Sequence, residues 1–215
     1  MEEILFIDKP KGMSSFDVIR ILRKKLKIRK MGHAGTLDPL ATGLLIIGVG
    51  KGTKRLKEFL NLPKTYLMDI LLGKKTETGD LEGKIIEEKE VKEINRKKVK
   101  EILKEIEGDI KLEVPLYSAV KLKGIPLYKY ARKGIKITPP KRKVRIFYLK
   151  LLDFLKEDKF YILKVEMKCQ KGTYARAVAE EIGKRLNLPA TLKDLRRTKI
   201  GKINISQAQK LDPNY

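Results

Sequence analysis

Cysteine is almost missing from this chain of 215 residues. Cys169 is the only one, so no internal disulfide framework can hold the fold. Tryptophan is absent and histidine is reduced to His33. One cysteine and one histidine do not make the ligand clusters of a zinc site, and no metal is expected. Long apolar runs are lacking too. None approaches the roughly 20 residues of a membrane-spanning helix, and the longest short run, residues 44–49, reads as a buried strand. The N-terminus opens Met1-Glu2-Glu3 and runs into a strand-like segment, which is no signal peptide. These absences lead us to expect a cytoplasmic protein.

Acidic residues are in short supply: 27 Asp and Glu face 50 Lys and Arg, a formal net charge of +23. Such a charge raises the local concentration of polyanions and speeds their association. Nucleic acid is the first candidate partner and an anionic membrane surface the second. A membrane is the weaker fit, because no basic helix has a strong apolar face of suitable length. The charge is uneven. Residues 1–76 carry +9, residues 77–113 carry −3 and residues 114–215 carry +17. A solvated face explains one charge run but not two basic flanks. The plentiful Lys and Glu, with few Gln, Cys and Trp, match heat-adapted proteins and suggest a thermophilic source.

Hydrophobic residues make up 42% of the chain, enough for a globular core. Residues 3–7, 44–49, 66–72, 84–88, 144–152 and 160–169 read as strands. Ser14 or Ser15 caps a predicted helix with Asp17 in its first turn and Val18, Ile21, Leu22 and Leu26 on one face. Asn95 caps another, with Val99, Ile102, Leu103 and Ile106 on one side and Gly108 closing it. Thr173 opens a third, with Ala177, Val178, Ile182 and Leu186 at helical spacing. Strands and helices alternate without a βαβ rhythm. The expected fold is therefore α+β with a mixed, largely antiparallel sheet, flanking helices and a basic cleft, in a single domain spanning 1–215. Residues 121–145 hold ten Lys or Arg and no acid, with Tyr128 and Tyr130 among them. This insertion-like element, around 114–145, suits a phosphate backbone with occasional base stacking. Its plainer reading is a helix with Leu127, Tyr130 and Ala131 packed inward.

The stretch that carries chemistry is GHAGTLDPLATGLL, residues 32–45. Three glycines allow close backbone approach or positive φ. Pro39 stiffens the chain after Asp38 and biases Asp38 away from helical geometry. A carboxylate is thus held on a stiff turn just before a buried strand, with His33 five residues upstream. On its own, Asp-Pro is equally a common turn pair.

The same stretch resembles the signature loop of the TruB family of tRNA pseudouridine synthases. Further segments agree in order: DKPKGMSS at 8–15, KTY at 64–66, TGD at 78–80, YSAVK at 117–121 with PLY at 126–128, KGTYAR at 171–176 and LRRT at 195–198. The resemblance covers almost the whole chain. Two departures stand out. Only Pro115 precedes the YSA element where the family usually has two prolines, and the chain stops at Tyr215, without the small C-terminal RNA-binding domain of PUA type that most relatives carry.

The resemblance implies an isomerase that breaks the N-glycosidic bond of one uridine, turns the uracil and rejoins it through carbon. No cofactor or metal is needed. It implies Asp38 as nucleophile, with attack on the sugar, attack on the base and deprotonation of C2′ all open as routes. Arg176 is implied to pair with that carboxylate, as a fork that fixes its rotamer. Tyr66 would stack on the extruded uracil and assist loss of the C5 proton, although a strand tyrosine is also at home in a core. His33 would buttress the space left by the base, and Tyr174 and Leu195 would wall the uracil. Lys9 and Pro10 would support the loop, Asp80 would cap a turn, and Cys169 would lie inert in a strand. The implied partner is the T-arm stem-loop of tRNA, modified at uridine 55 by a monomer. Two alternatives stand beside this reading: a catalytically silent RNA-binding or ribosome-assembly protein, and a guide-RNA-dependent synthase subunit of the archaeal and eukaryotic type.

Overall fold

The computed structural model describes residues 2–211, which fall into two compact units, Met1–Leu67 with Leu195–Tyr215, and Met68–Asp194. In chain order the first unit begins with β1 (Glu2–Lys9), α1 (Ser15–Leu26), β2 (Met31–His33) and β3 (Thr42–Gly50). A 3-10 segment (Lys51–Leu56) and the short α2 (Lys57–Leu60) lead to β4 (Lys64–Leu72), which passes into the second unit. There follow β5 (Lys74–Thr76), β6 (Ile85–Glu88), α3 (Arg96–Ile106), β7 (Gly108–Glu113), β8 (Lys121–Leu122) and β9 (Ile125–Pro126). Next come α4 (Leu127–Arg132), β10 (Lys141–Glu157), β11 (Phe160–Cys169) and α5 (Ala175–Arg185). Strand β12 (Ala190–Ile200) returns the chain to the first unit, ahead of β13 (Ile203–Asn204) and β14 (Gln209–Lys210).

The first unit is organised on β3. Residues 43–49 of TGLLIIGVG are all buried, so both faces of the strand are covered. Leu45, Ile47 and Val49 point to one side, where Val18, Ile19 and Leu22 of α1 meet them. Leu44 and Ile46 point to the other, against Leu56 and Ile200. Burial of each such side chain is worth about 1.5–3 kcal/mol, which fixes the register of the strand. Strand β1 runs antiparallel to β3 along its length, from Glu2 opposite Gly50 to Lys9 opposite Gly43. Strand β12 lies parallel on the other side of β3, with Arg196 opposite Thr42 and Arg197 opposite Gly43. The order is β14-β1-β3-β12, with β4 beyond β12 and β2 paired to β3.

Helix α1 starts as its sequence signals. Ser14 is the N-cap, its hydroxyl accepting from the Asp17 amide, while the Asp17 carboxylate accepts from the Ser14 amide at 2.8 Å. The Ser14 hydroxyl also donates to the Asp17 carboxylate at 2.6 Å, and this bond, followed by that of the Ser14 amide, holds the carboxyl below its ordinary range. The buried stripe keeps Val18 and Leu22 of the predicted face, while Leu26 is half-buried against the same core. Ile19 is buried and Ile21 only half-buried, because the helix turns Val18, Ile19 and Leu22 toward β3.

In the second unit β11 pairs antiparallel with β10, and β10 with β7. The order is β4-β11-β10-β7, so the largely antiparallel α+β architecture expected from the sequence is present. Helix α3 packs on β10 and α5 and buries Val99, Ile102, Leu103 and Ile106, the four residues predicted, with the Asn95 side chain accepting from the Lys97 and Lys98 amides. Gly108 follows the C-cap residue Glu107 with φ +93 and starts β7. Helix α5 opens at Ala175, two residues after the predicted Thr173. Tyr174 is the N-cap residue, and the Thr173 hydroxyl turns back to the Gln170 carbonyl. Within the basic element only six residues are helical. Leu127 is fully buried, the Tyr130 hydroxyl donates to the Leu122 carbonyl, and the Arg132 guanidinium lies over the Tyr128 ring.

Candidate active site

Residues 34–41 have no regular structure, so this loop is shaped by what its main chain bonds to. Asp38 is half-buried near its middle. The Ala41 amide donates to the Asp38 carbonyl at 3.0 Å, which closes a turn with Pro39 in its second place, where a fixed φ suits it. The Pro39 carbonyl accepts from the Gly12 amide at 2.9 Å and from Lys9 Nζ at 3.4 Å. Lys9 is fully buried, and its ammonium also donates to the carbonyls of Pro10 and Met13. The expectation that this lysine supports the loop agrees with that geometry. Thus β1 and the turn after it hold the C-terminal side of Asp38.

His33 ends β2, opposite Ile47 of β3, and the loop begins at the next residue, whose amide donates to the Ile46 carbonyl. Burial, and then the positive charge of Arg197, push the His33 imidazole below its ordinary value, so it is neutral at neutral pH. Its Nδ1 is buried without a hydrogen-bond partner among the described residues. Tyr66 lies on β4 and Leu195 on β12, both buried. The Leu195 carbonyl faces the Thr42 hydroxyl at 3.4 Å, just past the Asp38 loop. The first unit therefore carries four of the six predicted site residues.

The other two lie in the second unit at the start of α5. Tyr174 is half-buried at the N-cap. Arg176, only 5% exposed, donates to the Thr78 carbonyl at 2.7 Å and the Tyr117 carbonyl at 3.1 Å. Its Nε stands 3.7 Å from Asp80 Oδ2, and both side chains are buried. Asp80 is also the turn cap that the sequence suggested, its Oδ1 accepting from the Thr78 hydroxyl and the Glu82 amide. Its role as a partner of Arg176 was not foreseen. A buried carboxylate facing a guanidinium is costly to break from one side, by about 3–5 kcal/mol, so the pair fixes the Arg176 rotamer. Among the described residues no three His, Cys, Asp or Glu side chains are grouped to hold a metal ion.

Two residues that reach the Asp38 loop were not among the predicted site residues, Ser15 having been read only as an alternative helix cap. Arg197 is 1% exposed on β12, and Ser15 is 1% exposed at the start of α1; both reach the Asp38 loop. The only signal for either was its place inside a motif, LRRT for one and KGMSS for the other.

The family model described as TruB family pseudouridylate synthase (N terminal domain) matches residues 23–175. The chain belongs to the TruB family. A TruB relative named tRNA pseudouridine synthase B, from Carboxydothermus hydrogenoformans, is 41% identical over 100% of this chain and 75% of its own length. Another of that name, from Fusobacterium nucleatum, is 44% identical over 95% of this chain and 70% of its own. Among solved structures, a chain of a Cbf5–Nop10–Gar1 complex superposes with a TM-score of 0.72 at 25% identity over 97% of this chain. The TruB chain here spans about half, 52%, of that solved chain. No helix among the described residues is long and apolar enough to cross a membrane.

Proposed function

We propose that the protein converts uridine 55 of tRNA, in the T loop, into pseudouridine, with Asp38 as nucleophile. The observation that carries this reading is identity above 40% along nearly the whole chain to relatives named tRNA pseudouridine synthase B, with Asp38 held on a braced loop. The reaction is an isomerisation. The bond from C1′ to N1 breaks, the uracil turns, and a bond from C1′ to C5 forms. The C5 proton leaves to solvent and N1 regains one. Nothing is oxidised or reduced, so no cofactor is required.

The target base must leave its stack, at a cost of a few kcal/mol. In this proposal Arg176 pairs with Asp38, Tyr66 stacks on the uracil, and Tyr174 and Leu195 wall it. The neutral His33 buttresses the space left by the base without adding a second cation beside Arg197. The exposed basic side chains of residues 121–145 hold RNA phosphates. The protein acts as a monomer in the cytoplasm.

The test is release of tritium from uracil C5 in a T-arm stem-loop, without guide RNA or added protein. Release by wild type and none by Asp38→Asn, with equal RNA binding by both, is the expected result. Binding without release by wild type on both the stem-loop and whole tRNA would replace this reading with a guide-dependent or purely binding role.

A further inference from the structure

A nucleophile acts from a defined position, and Asp38 stands on a loop with no regular structure of its own. What defines that position is largely two buried side chains from elsewhere in the first unit. The first is Arg197 on β12. Its Nε donates to the Leu44 carbonyl at 2.7 Å, and its two terminal nitrogens donate to the Gly35 carbonyl at 3.0 Å and the Thr36 carbonyl at 3.4 Å. One guanidinium therefore ties the limb leading to Asp38 to the limb leaving it. The main chain of Arg197 is equally close. Gly43 has φ +103, and a Cβ there would lie 2.3 Å from the Arg197 carbonyl oxygen.

The second is Ser15. Its hydroxyl accepts from the Leu37 amide at 2.8 Å and donates to the Leu37 carbonyl at 3.1 Å. Both main-chain polar groups of the residue before Asp38 are satisfied by one side chain. The hydroxyl is not occupied in capping α1, because Ser14 does that.

The buried charge of Arg197 is compensated by main-chain carbonyls of the Asp38 loop and of β3. Its partners among the described residues are these carbonyls and no carboxylate, and a buried cation is expensive to keep without such partners. An apolar side chain would avoid that cost, but it could not reach three carbonyls on two limbs. The planar fork of arginine can. We propose that Ser15 and Arg197 are positioning residues for Asp38, which fix the main chain on both sides of the nucleophile and take no part in RNA binding. The proposal rests on the reading of Asp38 as nucleophile. Each side chain is 1% exposed, so neither offers a surface to RNA.

The experiment compares Ser15→Ala, Arg197→Lys and Asp38→Asn in the whole protein. It measures single-turnover tritium release at saturating stem-loop, the stem-loop dissociation constant, and hydrogen exchange of peptides covering residues 33–44. Ser15→Ala keeps the capping box, so it is the milder change. It is expected to slow release roughly tenfold, and Arg197→Lys more, since small misplacements of a reacting group cost up to about 100-fold. Binding should stay within about twofold of wild type. Exchange should rise in residues 33–44 and stay unchanged in α3. A wild-type rate and unchanged loop exchange in Ser15→Ala, beside an inactive Asp38→Asn, overturns the proposal by itself. So does a loss that appears only as weaker binding. If Arg197→Lys does not fold, Ser15→Ala decides. Release by Asp38→Asn at the wild-type rate removes the nucleophile reading, and the proposal falls with it.

Discussion

His33 sits between two influences of the same sign. Burial disfavours its cation, and the guanidinium of Arg197 adds to that. The folded-state pKa therefore lies below the ordinary value of 6.5. As pH falls through that value the unfolded chain takes up a proton at residue 33 before the folded chain does. Stability contributed here is present above about pH 6.5 and is lost on acidification. Wild type and His33→Asn should therefore differ more at pH 7.5 than at pH 5.5 in urea unfolding, with wild type losing stability faster as pH drops. Parallel curves for the two proteins would mean that the imidazole is not kept neutral by its surroundings.

Arg197 and Gly43 make one contact seen from two elements. Strand β12 is parallel to β3 with these residues paired, and the positive φ of Gly43 lets the Arg197 backbone come close. A methyl group at residue 43 meets backbone on β12, which cannot swing away as a flexible side chain could. Gly43→Ala should lose at least about 2 kcal/mol in equilibrium unfolding, from the left-handed φ plus the displaced strand. A loss under about 0.5 kcal/mol would show that β12 yields easily. Elements whose signals are local were legible in the sequence. Asn95 before a 3.6-residue stripe gave α3, and the unbroken apolar run 44–49 gave β3. Strand β12 was not legible. Its burial alternates over residues 194–198, but one of the inward positions is Arg197, where Leu or Val is expected, so the apolar pattern of the sequence does not alternate with it. Only the long-range bonds to Gly35, Thr36 and Leu44 explain a buried arginine, and no local window contains them. The same holds for Asp80. Its turn was readable, but its pairing with Arg176, far along the chain, was not.

The net charge of +23 is not the property of one unit. The first carries +12 and the second +11, so both can neutralise phosphate, and a partner that touches either meets a cationic surface. Binding and chemistry should then respond differently to salt. Each phosphate neutralised contributes about −0.7 to −0.9 to the slope of log K against log salt, so about five phosphates give a slope near −4. Stem-loop affinity should fall on the order of 200-fold between 50 and 200 mM salt. The single-turnover rate at saturating RNA should stay nearly constant over the same range, because Lys9, Ser15 and Arg197 brace Asp38 from buried positions that mobile ions do not screen. Fluorescence anisotropy and tritium release across one salt series check both halves. A slope shallower than about −1 would take away the electrostatic account of RNA binding, and a rate that fell with salt at saturation would mean that the loop depends on exposed charges.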